Sequence, residues 1–271
     1  GVAEPTRRLT AMSRPMWDPP FGERPYGERV YAHEVPHAAT PRAAFSLRVV
    51  IGGWVMCYAL ATLLQIALVA LFDVSVDGDD QPSWFLLAGA LTLWVPFIVL
   101  LVVVSQRSGT GNVLADYRAR FRLTDLWGLP IGVLSQLLLV GLVTWPFREW
   151  FPDTFSTSEV EDRARNLYDS ATGIWLVVLF IVVVLGAPVV EEFVYRGFIQ
   201  AGLQGRFNDI AALVVTAVWF TVIHGRVAEF PGLFAFALVL GTCFLVTKRL
   251  GLPFVAHLAF NATGLALLAL T

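Results

Sequence analysis

Residues 173–197 read GIWLVVLFIVVVLGAPVVEEFVYRG, with no charged side chain before position 191 and then Glu191, Glu192 and Arg196 on the same continuous stretch. Roughly twenty apolar residues at about 1.5 Å each cross a bilayer core of about 30 Å, so the stretch reads as a membrane-spanning helix. A charge at such depth costs about 2.5–3.5 kcal/mol even on the more lenient insertion scales. Three charges retained there point to a polar site built inside a membrane bundle, and the rest of the sequence is read outward from that point.

The chain has 271 residues, 56% of them hydrophobic and 15% charged, against about 25% charged in soluble domains. Composition therefore excludes an ordinary soluble domain and predicts an all-α, polytopic transmembrane helix bundle. Apolar segments fall at about 49–72, 84–104, 126–146, 173–204, 209–229, 231–247 and 252–270. They give about seven spans, with room for an eighth helix. The division between the fifth and sixth rests on the short link HGRVAEFPG, where Arg226, Glu229 and Pro231 permit a turn.

Four regions follow. Residues 1–48 hold seven of the fifteen prolines and seven arginines and read as a disordered cytoplasmic tail without a signal-peptide core. Residues 49–146 supply three accessory spans, 147–172 an extracytoplasmic loop, and 173–271 a four-helix catalytic core. In the tail, Pro36 separates His33 from His37 and argues against a helical metal pair. Cys57 and Cys243 sit in apolar runs and read as small buried hydrophobes.

Loop charge sets the orientation. Arg42 and Arg48, then Arg107, Arg118, Arg120 and Arg122, then Lys248 and Arg249 fall on one side of a seven-span chain, which the positive-inside rule makes cytoplasmic. Asp73, Asp77, Asp79 and Asp80, and the largely acidic 147–172 segment with its solvated Arg148, Arg163 and Arg165, fall on the other. The C-terminus is then outside. Arginine outnumbers the single lysine, Lys248, by eighteen to one, which points to a GC-rich, bacterial genome and a multi-pass cell-membrane protein.

Within the last four segments the strongly polar residues are Glu191, Glu192, Arg196, His224, His257 and Asn261. Residues four apart share a helix face, so Glu192 reaches Arg196 in the favourable order. Glu191 is left beside Tyr195, in apolar surroundings that raise a carboxyl's pKa and suit it to proton transfer. Pro188 predicts a loosened turn just before it. Phe220 and His224 share a face, as do His257 and Asn261. The turn at 205–209 places Glu191 and His224 level, at about 21–23 Å from it. His257 lies shallower, only about 9 Å into the last span; continuation of the fifth helix to about Glu229, together with tilt, shrinks the gap to several ångströms. Asn261 begins an N-A-T sequon, but its depth denies access to glycosylation.

Glu191-Glu192-x-x-x-Arg196, Phe220-x-x-x-His224 and His257-x-x-x-Asn261, in that order, resemble the three motifs of the CPBP intramembrane proteases, the type II CAAX prenyl endopeptidase and Abi family. The resemblance covers about 173–265. It implies peptide-bond hydrolysis within the membrane, with Glu191 as general base, His224 holding the water, and His257 and Asn261 stabilising the oxyanion. Glu192 and Arg196 would support them, beside Phe220 and Tyr195. The implied partner is a membrane-associated or amphipathic peptide or protein, with no nucleic acid. No cofactor is required on this reading; the zinc alternative would use Glu191, His224 and His257, without an H-E-x-x-H motif. The competing classes are a non-catalytic scaffold or bacteriocin-immunity partner, and a proton-coupled transporter, against which no paired broken helices appear.

Overall fold

A computed structural model describes residues 45–74, 81–156 and 165–270. Among these residues all regular structure is helical, and six helices are long and apolar enough to cross a membrane. In chain order the elements are α1 (Leu47–Phe72), α2 (Ser83–Ser108), α3 (Leu123–Trp150), α4 (Ile174–Leu203), the shorter α5 (Asp209–Ile223), α6 (Val227–Thr247) and α7 (Gly251–Leu270). The chain is a multi-pass membrane protein. Large apolar side chains such as Met56, Leu63 and Ile66 are exposed on α1, and only 11% of its central window is buried, as expected where one helix face meets lipid rather than protein.

The positions of the helices follow the sequence expectation, with two corrections. The first concerns α5, which ends at Ile223 rather than near Glu229. His224 is its C-cap, Gly225 takes a left-handed φ of 70°, and a short 3₁₀ turn over Val227–Glu229 reverses the chain before Pro231 enters the regular part of α6. A glycine in that conformation ends a helix at little cost. The second concerns the boundary of the tail. Residues 1–44, with His33 and His37, lie outside the described residues, as do Asp77, Asp79 and Asp80. Phe45, however, is buried, stacks on Tyr117 with ring centroids 5.2 Å apart, and precedes a helix that starts at Leu47, capped by the Ser46 hydroxyl.

The main core gathers Phe45, Tyr117, Phe198, Ile199 and Phe220. Both cysteines are buried and unpaired with each other. At the end of the bundle that carries Lys248, Arg249 binds Asp125 through two nitrogens, the shortest contact being 2.6 Å, and Lys248 reaches Asp209 at 3.1 Å. The first pair ties α7 to α3, the second the start of α5 to the end of α6. Nearby, burial pushes the Asp116 carboxyl up, but hydrogen bonds from Ser105 and Thr110 outweigh it and hold the group below its usual range.

The tightest helix contact is between α3 and α7. Gly128 and Gly132 lie four apart, and a Cβ on Gly132 would come within 2.1 Å of the Ala256 carbonyl oxygen and 2.7 Å of the Ala259 methyl. This is small-residue packing, which lets backbones approach where lipid removes the hydrophobic drive. Gly132→Val should therefore lower stability by about 1–3 kcal/mol, read as a fall in the detergent unfolding midpoint. An unchanged midpoint would show that the contact is looser than described.

Candidate active site

Helix α4 is not regular where it carries the charges. Its backbone widens into π-helical turns over Ile181–Gly186 and again over Glu192–Gln200, with a short α-helical piece, Ala187–Glu191, between them. Ala187 N–H donates to Val182 O, five residues back. The next nitrogen belongs to Pro188 and has no hydrogen to give Val183 O. Asn261 of α7 supplies that donor, its Nδ2 lying 2.8 Å from Val183 O. The loosened turn expected before Glu191 is present, and it is held from the neighbouring helix.

That clip gives a prediction. Asn261→Leu leaves a carbonyl unsatisfied and should cost about 1–3 kcal/mol, whereas in a Pro188→Ala background the restored backbone N–H should recover much of the loss. Equal losses of thermal stability in the two backgrounds would show that Asn261 does not replace the missing donor.

The polar residues downstream share one buried cluster. Arg196 Nη1 donates to Glu192 Oε1 at 3.0 Å, Nη2 donates to Ala237 O at 3.3 Å, and the guanidinium lies 4.9 Å from the centre of the Phe220 ring. The other partner of Glu192 Oε1 is His257 Nδ1, at 2.8 Å. Arg196 is 0%, Glu192 1% and His257 4% exposed. Glu192 is thus not the private partner of Arg196 but a bridge between α4 and α7, and a carboxylate behind Nδ1 fixes which imidazole nitrogen faces forward.

His257 Nε2 faces Glu191 Oε2 at 3.7 Å. Glu191 is therefore not isolated beside Tyr195. Its side chain keeps 24% of its exposure and, with His224, lines a cavity of about 780 Å³. His224 Nδ1 donates to Phe220 O at 2.7 Å, so the neutral ring presents the Nε2 lone pair. Phe220 is the hub, with the rings of Tyr195 at 5.0 Å, His224 at 4.7 Å and His257 at 6.2 Å. His257 reaches this depth by packing beside Phe220, one turn before His224, so α5 has no need to continue to Glu229.

The structure thus gathers Glu191, Glu192, Tyr195, Arg196, Phe220, His224 and His257. Asn261 lies on the same α7 face as His257, but its bond is to the α4 backbone. Two residues of the surroundings escaped the sequence reading. Phe236 sets its ring edge-on to His257 at 5.6 Å, with no sequence signal to mark it. Gln200 is buried and donates to Gly241 O at 3.1 Å; its place four residues beyond Arg196 on the Glu192 face could have revealed it. Among the described residues no three His, Cys, Asp or Glu side chains are arranged to hold a metal ion, Glu191, His224 and His257 included.

Residues 173–263 match the model of the Rce1-like family, type II CAAX prenyl endopeptidases, so the resemblance read from the three motifs is found independently. The "UPF0177 protein YbdI" of Lactococcus lactis subsp. lactis (strain IL1403) is 24% identical over 166 residues, 61% of this chain and 88% of its own length. The "Putative membrane peptidase YdiL" of Bacillus subtilis (strain 168) is 24% identical over 204 residues, 72% of this chain and 79% of that protein. No solved structure matches.

Proposed function

We propose, for a chain whose residues 173–263 match a family of membrane endopeptidases, that it hydrolyses peptide bonds of a membrane-associated or amphipathic peptide, with water activated by side chains alone. The observation that carries this reading is the position of Glu191. It stands at the wall of a 780 Å³ cavity that His224 also lines, and His257 Nε2 lies 3.7 Å from it on the buried side, so one accessible carboxylate has an imidazole in the same cavity and another behind it.

In this mechanism Glu191 takes a proton from water as the water oxygen bonds to the scissile carbonyl carbon. His224 Nε2, fixed by the Nδ1 bond to Phe220 O, accepts the second water hydrogen and aims the oxygen. The oxyanion that forms is stabilised by His257, which Glu192 holds in place through Nδ1. The second amide hydrogen of Asn261 is the further donor; the first belongs to Val183 O. Collapse of the intermediate breaks the C–N bond, and the proton held by Glu191 passes to the departing amine. Glu192 and Arg196 act by position, holding His257 and the α4 backbone. The N-terminus faces the cytoplasm on this reading, which rests on the arginine-rich loops, and the bacterial cell is inferred from the excess of arginine over lysine.

His224→Ala tests the mechanism without disturbing the ion pair. It should lower kcat/KM for an internally quenched peptide by about 10²-fold or more, with the unfolding midpoint little changed. Retained activity would remove His224 from the water-activating role.

A further inference from the structure

The cavity beside Glu191 extends well past the reacting point, and its far wall comes from α1 and α2, outside the region matched by the protease family. On α1 it is lined by Trp54, Tyr58, Ala61, Thr62 and Gln65, a spacing that puts all five on one helix face. On α2 it is lined by Phe85, Gly89, Thr92 and Phe97. These walls are mostly apolar and aromatic; the Thr62 hydroxyl is taken up by its own helix, donating to Tyr58 O at 2.9 Å, and the polar pair that joins the two helices is Gln65 with Thr92. Thr92 Oγ1 lies 2.8 Å from Gln65 Oε1 and 2.7 Å from Gly89 O. A hydroxyl has one hydrogen and cannot serve both acceptors, and among the described residues the contact with Thr92 is the only hydrogen bond of the Gln65 side chain. A polar pair of this kind inside a membrane bundle is costly to keep and marks a site of use.

Its distance from the catalytic point can be read from the packing. Gly186 of α4 meets the Trp94 ring of α2, where an added Cβ would lie 2.2 Å from the ring. The outer edge of the Trp94 ring therefore packs on Gly186, which sets the two helices in approximate register. Counting along each helix from that contact offsets Gln65 and Thr92 from Glu191 by about 10 Å along the helix axes at 1.5 Å per residue, toward the end that carries Gln81 and Leu167. An extended peptide rises about 3.3 Å per residue, so the interval is about three residues.

We infer that the Gln65 amide, backed by Thr92, binds the main chain of an extended, uncharged apolar peptide about three residues from the bond that is cut, and that α1 and α2 thereby choose the substrate. The apolar walls take uncharged side chains in the intervening positions, and the amide replaces the water that one peptide group loses on entry. The inference rests on the proteolytic reading above, but it makes a separate claim about binding.

The test uses the full-length protein in detergent with an internally quenched decapeptide of leucine, alanine and phenylalanine, and a series in which one amide at a time is replaced by an ester. Binding is followed on Glu191→Gln protein through quenching of tryptophan fluorescence by a brominated phenylalanine in the peptide; cleavage is followed on protein with Glu191 intact. An ester at one position, three residues from the cut, should weaken binding about tenfold, the worth of a single well-placed hydrogen bond. Gln65→Met, close to glutamine in length and suited to an apolar wall, should give the same loss and abolish further sensitivity to that ester. Binding that is unchanged in Gln65→Met, or losses that multiply when the two changes are combined, would overturn the inference. Binding that depends on Gln65 without any cleavage would uphold it and overturn the hydrolytic reading instead.

Discussion

Glu191→Gln is expected to reduce peptide hydrolysis by about 10²–10⁴-fold, the range spanned by a lost general base, while the protein folds and inserts as before. The structural reason for the second half is as important as the first. Glu191 is not enclosed: its side chain retains 24% exposure, and its contact with His257 is 3.7 Å long. Glutamine keeps the shape and cannot accept the proton. The check is kcat/KM for a quenched peptide, measured beside an unfolding curve. A loss of stability that parallels the loss of activity would place Glu191 among the structural charges and leave the base unassigned.

The neighbouring glutamate should behave in the opposite way. Glu192 is 1% exposed, pairs with Arg196 at 3.0 Å and accepts from His257 at 2.8 Å. Removing it strands a fully buried guanidinium, and breaking a buried pair by deleting one partner typically costs about 3–5 kcal/mol. Glu192→Leu should therefore fold poorly, read as reduced yield and a lower unfolding midpoint. Removing both charges is different, because an apolar pair of similar volume relieves both desolvation penalties. Glu192→Leu combined with Arg196→Met should regain most of the stability while activity stays low, since His257 loses the acceptor that orients it. If the double variant is no more stable than Glu192→Leu alone, the ion pair is not what Glu192 supplies.

These two predictions separate adjacent residues, and the separation was legible in the sequence. Helical spacing alone assigned Arg196 to Glu192, and the structure places the two in contact. The helical class and the positions of the spans were equally legible, because apolar length in a bilayer leaves few alternatives. What the sequence could not supply was depth. Counting from helix ends could not place His257, because α5 stops at the left-handed Gly225 rather than where apolar length ends, and His257 meets it beside Phe220, one turn before His224. The bridge from Glu192 to His257 was hidden for the same reason, since it joins residues 65 positions apart. The bond between Asn261 and Val183 needed knowledge that α4 widens before Pro188, which period counting on a regular helix does not reveal. The cavity wall was hidden as well. Trp54, Tyr58 and Phe97 look like any lipid-facing or core aromatics until α1 and α2 are packed against α4.

The same division explains why a family match to residues 173–263 reaches the proposed reacting groups and says little about the substrate. Glu192, Tyr195, Arg196, His224 and His257, the polar side chains grouped with Glu191, lie inside that range. The residues that would meet a peptide at a distance from the cut lie in α1 and α2.

The central claim is that water, activated at Glu191, is added across a peptide bond. Mass spectrometry of the products formed from the quenched decapeptide in ¹⁸O-labelled water measures that directly. The account predicts one labelled oxygen in the newly formed carboxyl group with the unaltered protein, and no labelled product above background with Glu191→Gln. Labelled product forming at the same rate in both proteins, or no product from either, would contradict it.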